Sequence, residues 1–262
     1  MNVRDTDEIK KEFQLERVIF FSDAVFAIII TIMILDVKLP EVERYKSAMA
    51  AKDAFLHILP KLTGYGVSFY AVGALWMKHL RIFSFLKEYS LQLITINLLF
   101  LFSVSLFPFA LSFFFNSAQV MQYTWGVFTY VSIYQLTNFT QTMLIGYLIK
   151  NKEELCYRTS EIEHVLHWKV KRLDYFAAPV VALLITCTMY FDLDARTSYY
   201  IVFVPIIVYN VVIRKLEKHY YPHHKKERVT FLSLFGRIKS AQPAIHKNSV
   251  SPAHRAKQKA VK

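Results

Sequence analysis

Residues 89–115 read YSLQLITINLLFLFSVSLFPFALSFFF and decide the class of fold. They open a run, from residue 89 to residue 149, that contains no Asp, Glu, Lys, Arg or His. A helix needs about 20 mostly apolar residues to cross the hydrocarbon core of a bilayer, so this run has room for two crossings. Its continuous apolar character is not the alternating pattern of a membrane β-barrel, and lipid offers the backbone no hydrogen-bond partners. The run therefore predicts two transmembrane α-helices.

Apolar runs on both sides extend this prediction to an all-α integral membrane protein with six transmembrane helices per subunit. The predicted spans are at about residues 18–36, 58–79, 89–115, 121–149, 173–191 and 197–214. The first run contains Asp23 and has no small-residue cleavage site, so we do not interpret it as a cleaved signal peptide. The predicted organisation is an N-terminal segment (1–17), a transmembrane domain (18–214) and a basic, largely disordered tail (215–262).

The distribution of basic residues predicts the orientation. Most of the 32 Lys and Arg residues lie before residue 18, between the second and third spans, between the fourth and fifth spans, or after residue 213. Cytoplasmic loops collect Lys and Arg, so these four segments are expected inside, with both termini cytoplasmic and the protein in the cell membrane.

The net charge of +12 does not indicate nucleic-acid binding, because much of the excess lies in the tail. A basic segment beside a membrane is attracted to anionic lipid headgroups, which are the partners expected for this tail. The sequence contains no nucleotide-binding, zinc-protease or CxxC motif, and its two cysteines have no metal-ligand spacing. We therefore predict no enzyme activity, no cofactor and no metal site other than for a permeant ion.

Asp23 is the strongest single signal in the chain. It lies inside the first apolar run, where residues 17–28 read RVIFFSDAVFAI. A carboxylate within a span costs about 2.5–3.5 kcal/mol, so it is expected to be paired or functional. An antiparallel packing of the first two helices would place it level with Trp76 and His79. The other candidate donors are Lys78, Arg81 and, in the third helix, Asn97.

The first helix also has a second face. At 100° per residue, Ala24, Ile28, Thr31 and Leu35 form one mostly apolar stripe, and Asp23 points about 140° away from Ile28. The helix is thus predicted to carry a buried polar face, with Ser22 and Asp23, opposite a smooth stripe. The polar cluster is expected to be structural, with a proton relay as the alternative.

Thr63-Gly64-Tyr65-Gly66 looks like a potassium-channel filter sequence with one residue missing. A filter of that kind needs an extended loop, whereas this segment lies near the start of a predicted helix. We therefore expect its small residues to allow close helix packing.

Three groups of residues resemble the motifs of the lysosomal potassium channel family (transmembrane protein 175) and its prokaryotic relatives. The first is the signature Arg17, Phe21, Ser22 and Asp23 followed by Val25–Ile28; the second is Trp76, His79 and Phe83; the third is Asn97–Phe100 with Pro108 and Phe109. By motif the resemblance covers residues 17–115, and the helix count extends it to about residue 214.

This resemblance implies a potassium-selective cation channel in which the first helix of each subunit lines the pore. A chain with one signature implies a homotetramer, in line with the closed symmetry that a ring of helices needs. Apolar residues after the signature would form a hydrophobic constriction, at positions matching Ile28, Thr31 and Leu35. Arg17 and the Phe21-Ser22-Asp23 group would brace the helices, and selectivity would be modest.

Two other function classes stay open at this stage. A proton-coupled secondary transporter would use the intramembrane Asp23, although no inverted repeat relates the two halves of the chain. A membrane-embedded enzyme would need clustered nucleophiles or metal ligands at one depth of the membrane.

Overall fold

The computed structural model of the chain describes residues 3–37, 48–117, 123–157, 159–191 and 193–221. These residues are helical apart from short connections and one isolated antiparallel bridge between Leu86 and Cys156. The long helices are α1 (Val3–Ile32), α2 (Ala48–Phe83), α3 (Leu91–Ser105), α4 (Phe107–Ser117) and α5 (Tyr123–Lys150). Three short helices follow, α6 (Lys152–Leu155), α7 (Ile162–Val165) and α8 (Trp168–Lys171), and then α9 (Asp174–Tyr190) and α10 (Ala195–Tyr220).

Every predicted span contains a helix, but several ends differ. The segment predicted separately as residues 1–17 is continuous with the first span, because α1 begins at Val3 and a 3-10 turn, Met33–Asp36, completes it. At the other end α10 continues past residue 214 to Tyr220. The prediction of a disordered tail falls mostly on residues 222–262, which lie outside the described residues.

The third predicted span is not one helix. It breaks at Leu106 into α3 and α4, and Pro108 explains the break. Proline lacks the backbone N–H, and its ring collides with the carbonyl of the residue four positions earlier, here Val104.

In the part of the chain that the structure describes, four segments are long and apolar enough to cross a membrane, namely Phe13–Leu35, Leu91–Phe115, Trp168–Tyr190 and Ala195–Tyr220. The other two predicted spans correspond to α2 and α5, which are long but contain more polar residues. The count of six transmembrane helices therefore stays a prediction.

The polar character of α5 has a structural reason, because this helix is the centre of the fold and packs against α3, α4 and α9. Its buried Thr137 and Thr142 donate hydrogen bonds to carbonyls one turn earlier in the same helix. Thr140 pairs across the helix interface with Ser103 of α3 at 2.9 Å. Hydroxyls satisfied in this way can be buried without a charge partner.

Two apolar clusters fix α1 and α2 against this centre. One contains Phe26, Met33, Phe100 and Phe107 of α1, α3 and α4. The other lies where α2 ends, and it joins α2, α3, α5 and the short helices. The small residues of segment 63–66 were expected to allow close helix packing, and the structure shows this at Gly64 but not at Gly66. A side chain at Gly64 would meet the Phe115 ring at 2.6 Å, whereas Gly66 has open space around it.

Candidate pore-lining helix and its hydrogen-bonded face

Helix α1 has the two faces that the sequence predicts. Its buried face contains Ser22, Phe26, Ile29 and Met33, which recur at helical spacing and are at most 5% exposed. The opposite face carries the four stripe residues, all of them exposed, with Ile28 at 56% and Leu35 at 66%. The buried face contacts α2 and α3, so one side of the most apolar segment of the chain has no partner among the described residues.

A directed chain of hydrogen bonds joins the three helices on the buried face. His79 of α2 donates through Nε2 to the side-chain oxygen of Asn97 in α3, at 2.9 Å. Asn97 donates through Nδ2 to Ser22 Oγ at 3.0 Å, and Ser22 donates to the carbonyl of Val18 at 2.9 Å. An amide oxygen only accepts, so the direction of the first bond follows from chemistry and assigns the proton to Nε2 of His79.

Asp23 forms the second polar link on this face. Trp76 Nε1 donates to its carboxylate at 2.8 Å, which ties the start of the membrane portion of α1 to the end of α2. Trp76 is one of the candidate donors named from the sequence, and in the structure it bonds to Asp23. His79 lies one turn further along α2, but it bonds to Asn97 and not to the carboxylate.

Aromatic rings enclose the imidazole of His79. It stacks on Phe83 at 4.1 Å and on Phe100 at 5.5 Å between ring centroids, and Phe26 packs against it at 5.7 Å. Its exposed fraction is 1%. A polar ring buried this deeply needs its hydrogen bond to Asn97, because an unsatisfied buried donor costs about 1–3 kcal/mol.

Two signature residues do not join this group in the single chain. Arg17 and Phe21 are exposed on α1, and neither forms a hydrogen bond or ion pair with another side chain in the described part of the protein. Their role in bracing the helices stays a prediction.

The hydroxyl of Thr31 is hydrogen-bonded within its own helix. It donates to the carbonyls of Ala27 at 2.9 Å and of Ile28 at 3.0 Å. The proton of the hydroxyl is therefore turned toward the helix, which leaves the lone pairs of the oxygen directed to the exposed side.

Sequence reasoning missed a second polar group, on the opposite side of α2. Lys171 of α8 pairs with Asp174 at the start of α9, and Tyr209 of α10 donates a hydrogen bond to the same carboxylate. The spacing of Lys171 and Asp174, three residues apart at the start of an apolar run, was the available signal. Among the described residues, no group of three His, Cys, Asp or Glu could hold a metal ion.

These features define a multi-pass, all-helical membrane protein whose first helix is fixed on one face and bare on the other. Comparison with known proteins gives the family. The sequence profile of the endosomal/lysosomal potassium channel TMEM175 matches residues 17–108, the part that contains both faces of α1 and their partners.

Relatives extend the match over most of the chain. A potassium channel of Chryseobacterium sp. (strain P1-3) is 30% identical over 200 residues, which cover 76% of this chain and 93% of that protein. A potassium channel of Streptomyces collinus is 38% identical over 92 residues, covering 35% and 43% of the two chains. The crystal structure of a lysosomal potassium-selective channel TMEM175 homolog from Chamaesiphon minutus has a similar fold, with a TM-score of 0.56 at 21% identity over 76% of this chain and 98% of that one. The chain belongs to the TMEM175 family, as a prokaryotic-type member.

Proposed function

We propose that this chain is one subunit of a potassium channel in which the first helices of four copies line a central pore. The observation that carries the proposal is the bare stripe of Ala24, Ile28, Thr31 and Leu35, opposite a face that hydrogen bonds hold against α2 and α3. The Chryseobacterium and Streptomyces relatives are named potassium channels, which favours the same ion here. One helix cannot enclose a pore, whereas rotational symmetry completes a ring from identical stripes.

The stripe supplies a hydrophobic constriction. Rings of Ile28 and Leu35 side chains would close the pore by dewetting and open it by a small widening or rotation of the helices. Between them, the Thr31 hydroxyl oxygens would contact partly dehydrated cations. With so few oxygen ligands, selectivity for potassium over sodium would be modest.

The hydrogen-bonded face has a separate part in this proposal. A constriction made of bulky side chains works only if each helix keeps its rotation about its own axis. The Asp23–Trp76 and Ser22–Asn97 bonds set that rotation, because both approach α1 from the side away from the stripe. Arg17 and Phe21 would complete the bracing once neighbouring subunits are present.

The assembly would lie in the cell membrane with both termini of each subunit in the cytoplasm. The basic tail would then meet anionic headgroups of the inner leaflet. A proton-coupled transporter built on Asp23 is not favoured, since the carboxylate is held by Trp76.

An Ile28→Asn substitution tests the constriction. It replaces an apolar ring by amides that keep the neck wet, and lowering the barrier by about 1.4 kcal/mol would raise basal flux about tenfold. Potassium efflux from proteoliposomes measures the effect. The matched control is Ile207→Asn, which changes an equally exposed residue of α10. Equal flux through wild type and Ile28→Asn would contradict the pore assignment.

Single-channel recording of the wild-type protein separates a channel from a carrier. A channel gives unitary current steps, which a carrier that moves one ion per conformational cycle cannot produce. The mass of the intact assembly in detergent tests the tetramer, and a monomer without conductance would refute it.

A further inference from the structure

A crevice of about 800 Å³ opens on the side of α2 that faces away from α1. Helices α2, α4, α5 and α10 form its walls, and α8 and α9 close one end. Its volume is within the 300–1,000 Å³ typical of small-molecule sites. Neither the stripe residues nor Asp23, Trp76, His79 and Asn97 line it, so the crevice is separate from the proposed pore.

One part of the crevice is apolar. Its walls there are formed by Val67 and Ala71 of α2, Leu111 of α4, Val131 of α5, and Phe203 and Ile206 of α10. The polar pair in this region, Ser68 and Tyr130, is satisfied internally by a hydrogen bond of 3.0 Å. Such walls suit a hydrocarbon chain and give water few partners.

The other end of the crevice is basic. Lys78 and Arg81 line it near the end of α2 with exposed side chains, and neither forms an ion pair within the described residues. The remaining charged groups here are already engaged with one another. Asp174 pairs with Lys171 and accepts from Tyr209, and His167 lies 3.9 Å from Glu217. Asp174 and Glu217 also attract Lys78. The cations that line this end, Lys78, Arg81 and Lys171, still outnumber these two carboxylates, which leaves one net positive charge here.

Gln141 adds a polar group to the lining of the crevice. Its side chain lines the crevice and is fully buried, and neither atom of its amide has a hydrogen-bond partner in the described part of the chain. An unsatisfied amide in such a place is costly, because it has lost its hydrogen bonds to water without replacing them. A polar group that entered the crevice would relieve this cost.

The crevice continues along α2 to Thr63, but the separation of its basic end from Val67 agrees with one leaflet of a bilayer. From Lys78 back to Val67 the axis of α2 advances about 16 Å, at about 1.5 Å per residue. Half of a hydrocarbon core of about 30 Å is about 15 Å. A charged group at Lys78 and an apolar chain reaching Val67 thus match the headgroup and acyl chain of one lipid molecule.

We propose that this crevice binds an acidic phospholipid, with its phosphate at Lys78 and Arg81 and one acyl chain along the apolar walls toward Val67. Glycerol and ester oxygens would come within reach of Gln141. The orientation proposed above assigns this lipid to the cytoplasmic leaflet, where acidic lipids and basic pockets between helices meet. The site itself does not depend on ion conduction.

Native mass spectrometry of the full-length, delipidated protein tests the proposal, with phosphatidylglycerol and phosphatidylcholine as probes. Wild type is expected to retain phosphatidylglycerol in preference to phosphatidylcholine. The double variant Lys78→Gln/Arg81→Gln is expected to bind phosphatidylglycerol about 25-fold more weakly, at about fivefold per charge. The matched control Lys87→Gln/Lys150→Gln removes two exposed basic residues outside the crevice and is expected to bind as wild type does.

Two further variants keep the result interpretable. Lys78→Arg/Arg81→Lys retains both charges and should retain the lipid, which separates loss of binding from loss of folding. Ala71→Phe leaves the charges in place and narrows the space between the apolar walls, so it should weaken the binding of phosphatidylglycerol. Glycerol phosphate, which has no acyl chain, should show no measurable binding to wild type or to any variant. Two results would overturn the proposal. One is equal retention of phosphatidylglycerol and phosphatidylcholine by wild type, and the other is equal retention of phosphatidylglycerol by Lys78→Gln/Arg81→Gln and by the control Lys87→Gln/Lys150→Gln. A charge variant that changes its oligomeric state without losing lipid would also overturn it, because a second copy of the chain would then fill the crevice.

Discussion

At the scale of single residues, the fold depends on a few polar side chains that meet across helices where lipid offers no alternative partner. Asn97 is the junction, because its amide accepts from His79 and donates to Ser22. Removing Asn97 leaves the buried Nε2–H of His79 without its acceptor, whereas Ser22 keeps its hydrogen bond to the carbonyl of Val18. Asp23 is simpler, since one indole N–H meets its carboxylate.

Trp76→Phe removes that bond. The phenyl ring is apolar but smaller than the indole, and the donor to Asp23 is lost, so we expect stability to fall by about 1–2 kcal/mol. Thermal unfolding in detergent measures the change. Trp125→Phe is the control, because Trp125 is 42% exposed, and it should change stability by no more than about 0.5 kcal/mol. Equal stability of the two variants would show that the bond to Asp23 contributes nothing.

At the scale of helices, close approach depends on glycines at particular positions. A side chain at Gly146 of α5 would meet the hydroxyl of Tyr175 at 2.5 Å and the Trp168 ring at 2.9 Å. The same tyrosine donates a hydrogen bond to the carbonyl of Thr142 at 3.1 Å. The contact between α5 and α9 is therefore built around the missing side chain.

Gly146→Ala should force these helices apart. We expect a loss of about 1–3 kcal/mol from overpacking, measured as a lower midpoint of thermal unfolding. Gly73 of α2 has open space around it, so Gly73→Ala should be neutral, or more stable by up to about 1 kcal/mol through helix propensity. A Gly146→Ala variant as stable as Gly73→Ala would refute this account of the interface.

Backbone hydrogen bonds also join the connection after α2 to the connection after α5. Leu86 and Cys156 pair as an isolated bridge, and Tyr157 N donates to the carbonyl of Phe85 at 3.1 Å. Cys156 is 4% exposed, and burial raises the pKa of its thiol to about 11.

This pKa predicts slow thiol chemistry at Cys156. The thiolate is the reactive form, so in a Cys187→Ser background its alkylation rate should rise about tenfold per pH unit between about pH 8 and about pH 10. The comparison is Tyr157→Cys with both native cysteines replaced by serine, since that position is 70% exposed and should react faster. A rate at Cys156 that levels off near about pH 9 would contradict the raised pKa.

At the scale of the whole molecule, the distribution of basic residues predicts the orientation proposed for the channel. A cysteine at the exposed Arg196, in the first turn of α10, should lie outside the cell, and one at Tyr157 should lie inside. In intact cells a membrane-impermeant maleimide should therefore label Arg196→Cys and spare Tyr157→Cys. Both should react once the cells are permeabilised, and the opposite pattern in intact cells would reverse the orientation.

The amino-acid sequence by itself determined the properties that depend on solvent. A charge-free run, basic connections and one carboxylate in an apolar segment indicate membrane helices, an orientation and a polar cluster, because each follows from the free energy of transfer into lipid. Helical spacing alone also separated the stripe of Ile28 and Leu35 from the face of Ser22 and Asp23.

Only the tertiary structure decided which groups meet. Several donors could have reached Asp23, and packing selected Trp76 while His79 turned to Asn97. The lining of the crevice comes from helices distant in the sequence, so no local pattern announces it. The physical reason is that hydrogen bonds and packing act over a few ångströms between segments whose approach depends on the fold as a whole.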